Sequence, residues 1–305
     1  MDLQVRVEIC SPLDLSLAEF AQCANRSFPN RDETAEHLQW KWRFNGFGDS
    51  QAVVARARTG ELLGAIVLGQ QALATAGETV LGYCIYDLFV TPEARGRGVY
   101  TELLKMVPHV LGETQVLFSF PNQGAMPGQL RNGWRCIRRV RQYSALRSVR
   151  LHGMQDVSDD ECKIAELCTG STFRKGVSWQ PNEQHVAWRL QNPKRRTYLL
   201  QESSVLALVS VADRLGRREL RTLMVTDLVA GPIHQRLRAL RRMAASLNCS
   251  FATTAESCGA ILSAPRAALA SWFPRPSNVM LTTYIGQKPV MDEPWTIEGG
   301  MIHTW

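Results

Sequence analysis

No two of the eight cysteines in this 305-residue chain form a C-x-x-C pair, and the histidines keep no ligand spacing with them. Neither a structural zinc site nor a disulfide scaffold is therefore expected. Long apolar runs are missing too. The longest, Leu62 to Leu68, falls far short of the ~18 residues that a membrane-spanning helix needs. The opening Met1-Asp2-Leu3-Gln4 carries neither a basic nor an apolar segment and does not read as a secretory signal. Charge of one sign is nowhere gathered into a tail. Residues 1–150 hold 17 basic and 14 acidic side chains, residues 151–305 hold 18 and 14, and the net charge is +7. No nucleic-acid module or interleaved aromatics accompany that excess. The expectation is a reduced, cytoplasmic protein with no metal, no membrane insertion and no nucleic-acid partner, as a monomer or homodimer.

The hydrophobic fraction of 45% and charged fraction of 21% are those of a globular protein. The length suits about two domains of ~100–200 residues. Strand and helix patterns alternate along the chain. Ala52–Arg58 and Leu62–Leu68 read as strands around a Thr59-Gly60 hairpin signal, and Gly82–Val90 as a strand bounded by Thr91-Pro92. Val99–Leu111 has helical spacing, with Leu103, Leu104 and Val107 on one side. Val140–Ser148 is expected to close the first half.

The second half repeats this order, with strands at Val205–Val211 and Leu220–Thr226, a helix at Ile233–Leu247 and a last strand at Asn278–Ile285. Trp42-Arg43 recurs as Trp188-Arg189, and Val90-Thr91-Pro92 recurs as Val225-Thr226-Asp227. A tandem repeat follows, with domains expected at 1–152 and 153–305 and a boundary near the polar stretch Gln155–Cys162.

The segment Asp87-Leu88-Phe89-Val90-Thr91-Pro92-Glu93-Ala94-Arg95-Gly96-Arg97-Gly98-Val99-Tyr100-Thr101 carries the chemistry. A strand runs through a glycine-rich turn into a helix. Helix N-termini expose unpaired N–H groups and the positive end of the dipole, so they bind phosphate. Gly96 and Gly98 let the backbone approach an anion closely, and Arg95 and Arg97 add charge. A capped helix with solvated arginines is the alternative for the glycines alone. A Rossmann fingerprint fails because Thr101 stands where its third glycine belongs, and no Walker A loop is present.

The turn resembles motif A of the GNAT acetyltransferase superfamily, [Q/R]-x-x-G-x-[G/A] after a strand ending V-x-P. Arg95 and Gly98 match, and Tyr100 departs at the sixth position. Asn122, Ala125 and Gly133-Trp134 match the family's N-x-x-A…G-[F/W] segment, and the resemblance covers roughly residues 5–148. It implies an α/β fold of two tandem GNAT-like domains, each a mixed, mainly antiparallel twisted sheet flanked by helices. It further implies that Arg95, Gly96, Arg97, Gly98, Val99, Tyr100 and Thr101 hold the pyrophosphate of acetyl-CoA. Phe89 and Val90 would bind the pantetheine arm, and Asn122 would lie beside CoA. The second half has Ala230-Gly231-Pro232-Ile233 opposite the turn and Ala255 opposite Asn122, as expected of a degenerate copy.

Acetyl transfer to an amine needs a proton acceptor. Asp87, three residues before Val90, stands where the resembling family often places one. The tyrosine that often serves as acid, seven residues after the asparagine, is here Gln129. Cys84 and Cys136 have no histidine at a helpful spacing and read as buried hydrophobes. Arginines at 236, 238, 241 and 242 form a basic helix face that suits an acidic acceptor. The expected reaction moves an acetyl group from acetyl-CoA to the amine of a small molecule, an amino-sugar or polysaccharide precursor. A non-catalytic acyl-CoA-binding module and an aminoacyl transferase on cell-wall precursors are the alternatives.

Overall fold

The computed structural model describes residues 4–28, 31–43, 46–75, 78–110, 116–140, 142–148, 153–169, 177–213, 221–230, 233–255, 272–275, 280–284 and 295–296. The chain forms two compact units, one from Met1–Ala72, Val80–Arg138 and Met280–Met291, the other from Leu73–Thr79, Arg139–Val279 and Asp292–Trp305.

The first unit begins with β1 (Val5–Cys10), α1 (Leu17–Ser27) and α2 (Ala35–Trp42), followed by β2 (Gln51–Ala57), β3 (Leu62–Ala74) and β4 (Thr79–Val90). Then come α3 (Val99–Met106), β5 (Val116–Ser119), α4 (Met126–Arg131) and β6 (Trp134–Arg139). Ser16 and Thr34 cap α1 and α2, their hydroxyls accepting from the amides of Glu19 and His37. β1, β2 and β3 pair antiparallel in sequence order. Between Ala55 and Arg56 the β2–β3 register slips past Leu63, and the Leu63 carbonyl accepts from Thr91 N at 2.8 Å. That bulge ties the end of β4 to its neighbour.

Side-chain alternation sorts the sheet into two faces. Val53 and Ala55 of β2 join Val99, Leu103, Leu104 and Val107 on the α3 side. Ala52 and Val54 join Phe20, Ala24, Leu38 and Trp42 on the α1–α2 side. With both faces covered, β2 and β3 read as nearly continuous apolar runs. Phe20 is central to the second face, its ring edge-on to Trp42 at 4.5 Å and to Phe89 at 4.8 Å.

The remaining elements are β7 (Gln142–Leu146), β8 (Gln155–Asp156), α5 (Glu161–Thr169), β9 (Val177–Trp179), α6 (Glu183–Leu190), β10 (Thr197–Glu202) and β11 (Val205–Ala212). They continue with β12 (Thr222–Ala230), α7 (Ile233–Ser246), β13 (Phe251–Ala255), β14 (Trp272–Arg275), β15 (Met280–Tyr284) and β16 (Trp295–Thr296). The second sheet runs β14-β7-β13-β12-β11-β10-β8. Its plan repeats the first. An antiparallel run β10-β11-β12 is followed by α7 and a strand parallel to β12, as β2-β3-β4 is followed by α3 and a strand parallel to β4.

Two strands depart from the expected division at 152. β7, expected to close the first half, pairs with β13 and β14 in the second sheet. β15, expected to end the second half, pairs with β5 in the first, Thr282 opposite Ser119 and Thr283 opposite Phe118. The compact units therefore divide at Arg138/Arg139 and not near Gln155–Cys162. The alternation of a short strand shows which face is buried but not which strand lies beside it.

Ladder register also corrects the repeat. Gly82–Cys84 pairs with Val116–Phe118 as Thr222–Met224 pairs with Phe251–Thr253. Gly82 therefore corresponds to Thr222, Asp87 to Asp227 and Val90 to Ala230, five residues away from the Val225-Thr226-Asp227 echo.

Phe20→Ala should remove both edge-on ring contacts and lower stability by about 3–5 kcal/mol. The shift in urea midpoint measures it, and a loss below 1 kcal/mol would mean the two aromatic neighbours close the gap.

Candidate active site

After Val90 the chain makes a short 3-10 turn over Pro92–Ala94, with Ala94 buried against the α3 core. Gly96 and Gly98 follow, with φ of +73° and +80°. This left-handed region costs other L-residues roughly 1–2 kcal/mol. A Cβ built on either glycine meets no atom within 4 Å, so the turn borders open space. Gly98 is the N-cap of α3, and no side chain caps it. The first amides of α3 thus have no intrahelical acceptor.

The two arginines of the turn differ. Arg95 donates from Nε to the Val90 carbonyl at 3.3 Å and from Nη2 to the Ser27 carbonyl at 2.6 Å, fastening the turn to β4 and α1. Arg97 is exposed. Val99 is buried in the core and Thr101 is half-buried.

Tyr100, the departure from motif A, bridges two elements. Its hydroxyl donates to the Ala125 carbonyl at 3.0 Å, and its ring lies where a Cβ on Gly128 would be, 2.2 Å from that point. A large residue is accommodated after the turn because α4 presents a glycine to it. Burial raises the Tyr100 hydroxyl far above its ordinary range, which disfavours it as an acid or base. Asn122 accepts through Oδ1 from the amides of Gly124 and Ala125 at 3.0 and 2.9 Å, shaping the entry to α4. Gln129 is buried and donates to Ser119 Oγ at 3.0 Å, at the end of β5.

On the opposite face of β4 lies a cluster of charges. Asp87 is 2% exposed. One carboxylate oxygen accepts from Arg31 and from Lys41 Nζ at 2.9 Å, and the other accepts from Trp42 Nε1 at 3.0 Å. Burial pushes its pKa up, but the Lys41 ammonium and the Arg31 guanidinium outweigh that and hold it well below the usual carboxylate range. A carboxylate held by three donors is a weak proton acceptor.

Arg31 also binds Glu33, with Nε and Nη2 at 3.2 and 2.9 Å from Oε2. The other Glu33 oxygen meets His37 Nδ1. Burial raises the Glu33 pKa as well, but the His37 bond and the Lys41 charge bring it down to about 2. Arg31, Glu33, His37 and Lys41 all escaped the sequence reading. The signal for them is a Thr34 cap followed by buried Leu38 and Trp42 at helical spacing, with His37 and Lys41 one turn apart.

In the second unit, two of the four arginines expected on a basic rim are engaged locally. Arg241 Nε donates to the Leu146 carbonyl at 2.8 Å, and Arg242 pairs with the buried Glu202 carboxylate at 2.9 Å.

Residues 14–132 match the model of the acetyltransferase (GNAT) domain. That stretch is similar to a GNAT acetyltransferase domain and spans about two fifths of the chain. Solved structures of similar fold include the GCN5-related N-acetyltransferase from Kribbella flavida, 15% identical, which covers 92% of this chain and 71% of its own at TM-score 0.60. The GCN5-related N-acetyltransferase from Anabaena variabilis is 12% identical, covering 91% of this chain and 72% of its own at TM-score 0.62. Saccharomyces cerevisiae N-myristoyltransferase, solved with bound myristoyl-CoA and inhibitors, is 11% identical, covering 91% and 79% at TM-score 0.62. No curated protein matches the chain in sequence.

Asp87→Asn should leave Arg31 and Lys41 without their shared counter-charge and cost about 3–5 kcal/mol. The depressed pKa values of Asp87 and Glu33 add stability that is present above the unfolded carboxylate range near pH ~4 and lost as pH falls through the folded values. Denaturant titrations from pH 7 to pH 2 should therefore show a steeper acid loss for the wild type than for Asp87→Asn. Equal slopes would mean that the cluster contributes no linkage.

Proposed function

We propose that this protein transfers an acetyl group from acetyl-CoA to the amine of a small molecule, with the pyrophosphate seated on residues 95–101. The observation that carries this reading is the start of α3. It has two positive-φ glycines facing open space, a helix N-terminus with no side-chain cap, and the exposed Arg97 beside it. Those features suit a diphosphate, which would supply the acceptors that the first-turn amides lack. Phe89 and Val90 end β4 next to the turn. β4 pairs with β5 as far as Cys84 and Phe118, so the strand continues past that pairing along a stretch suited to the pantetheine arm. Holding thioester and amine together would supply much of the rate through orientation.

An amino-sugar or polysaccharide precursor is the acceptor class we favour. The second unit supports a role away from the cofactor. In it only residues 231–232 separate β12 from α7, whereas 91–98 separate β4 from α3. So short a connection supports the reading of a copy without an anion seat. Among the described residues no helix is long and apolar enough to cross a membrane.

A second reading, an acyl-CoA-binding module without turnover, draws on Gln129. It stands where the family often has an acidic tyrosine and is tied to Ser119. Amine screening with detection of released thiol separates the two, since binding without release on any amine would favour the module.

Calorimetry tests the cofactor seat. Gly98→Val should weaken CoA affinity at least tenfold, through strain at φ +80° and a side chain in the space that the diphosphate needs. Arg97→Ala should weaken it a few-fold, more at low salt, as an exposed charge contact does. Undiminished affinity in Gly98→Val would overturn the assignment.

A further inference from the structure

The reading above leaves the acceptor amine without a proton acceptor, because both oxygens of Asp87 are already engaged. His37 has the opposite arrangement. Its Nδ1 meets Glu33 Oε1, and Glu33, being ionised, has no proton to offer. The shared proton therefore sits on Nδ1, so that in the neutral imidazole the lone pair lies on Nε2, for which no hydrogen-bond partner occurs among the described residues. The ring stacks on Trp40 at 5.3 Å with planes 19° apart, which fixes its orientation. Its side chain is 14% exposed, against 4% for Glu33 and 1% for Asp87. Within the cluster only the Arg31 guanidinium, at 21%, is more exposed, and a cation has no lone pair to offer, so His37 is the most exposed group that can accept a proton.

Its position suits the task. α2 is anchored to β4 by Lys41, which reaches the Tyr86 carbonyl and Asp87, and by Trp42, which reaches Asp87. That anchor lies three residues before Val90, on the face of β4 that carries Asp87 and Phe89. The glycine turn leads into α3 on the other face. An acyl arm seated on the turn would bring its thioester to the α2 face by passing the edge of β4 beyond Cys84.

We propose that His37, oriented by Glu33, takes the proton of the acceptor amine. This rests on the acetyl-transfer reading. An ammonium gives one proton to Nε2, and the freed nitrogen lone pair attacks the thioester carbon. The C–N bond forms and the C–S bond breaks. The second proton leaves the nitrogen for the CoA sulfur. The products are an amide, CoA thiol and an imidazolium that returns its proton to water. Arg31, Lys41, Asp87 and Glu33 face the pair and balance in formal charge. Of the groups on the neighbouring elements, Glu19 pairs with Arg56, Arg26 pairs with Glu93, and Asp14 is exposed.

Long-range ¹H–¹⁵N spectra, with His37 assigned through His37→Gln, read the tautomer directly. The expected result at pH 8 is a protonated Nδ1 and a bare Nε2; the reverse tautomer would overturn the proposal without any assay. Kinetics would use acetyl-CoA with glucosamine, spermidine, lysine and glycine as amines. His37→Gln should lower kcat by roughly 10²–10⁴-fold and keep acetyl-CoA affinity within about twofold of wild type, a control for folding. It should also lose the acidic limb of the wild-type pH profile. Added imidazole should partly restore His37→Ala, which a merely structural histidine would not show. Wild-type kcat and pH limb in His37→Gln would overturn the role of His37 alone. A wild type that binds no acetyl-CoA would instead overturn the acyltransfer reading and this role with it. One that binds acetyl-CoA but acetylates none of the four amines would favour the binding module and remove the role.

Discussion

A carboxylate inside an apolar strand must be met by cations, and most of the α1–α2 side of the first unit follows from how Asp87 meets this demand. Burying an isolated carboxylate is prohibitive. Lys41 and Arg31 supply the charge, and Trp42 supplies a third hydrogen bond. Lys41 and Trp42 are adjacent on α2, so satisfying Asp87 fixes both the position and the rotation of that helix. Arg31 reaches Asp87 from the segment before α2 and binds Glu33 as well. Glu33 in turn orients His37. One buried charge thereby sets the geometry of a partly exposed imidazole three contacts away.

The other face of β4 is organised by backbone and not by charge. Gly96 and Gly98 adopt a conformation that other residues reach only with strain, and Arg95 holds the turn by donating to two carbonyls. The bulge at Leu63 secures Thr91 from the neighbouring strand. The α3 side thus borders open space at Gly96 and Gly98, while the α2 side carries an ionic cluster of balanced formal charge that includes the partly exposed His37. A single strand, β4, carries both faces.

Much of this was legible in the sequence because the signals were local. The turn from Asp87 to Thr101, the helix with Leu103, Leu104 and Val107 on one side and the hairpin at Thr59-Gly60 depend on residues close together in the chain. What stayed hidden was decided at long range. Lys41 and His37 look like the solvated residues of a short helix, and only the carboxylate of Asp87, 46 positions beyond Lys41, makes a buried lysine tolerable. Read from its neighbours, Asp87 suggested chemistry; its partners show a charge committed to structure. Tyr100 looked like a defect in the motif until Gly128, on another helix, proved to make room for it.

The exchange of strands bears on what a single unit can be. β5 has β4 on one side over Gly82–Cys84 and β15 on the other at Thr282 and Thr283. Ser119, the partner of Gln129, lies at the end of β5 where β15 pairs with it. A chain cut at residue 152 would lose β15 and expose that edge, and unpaired strand edges invite association with other chains. It would also take β7 away from β13 and β14. The repeat is therefore legible as a plan of elements, but the stretch of chain that encodes each sheet is discontinuous. The end of β5 needs residues encoded some 160 positions after it.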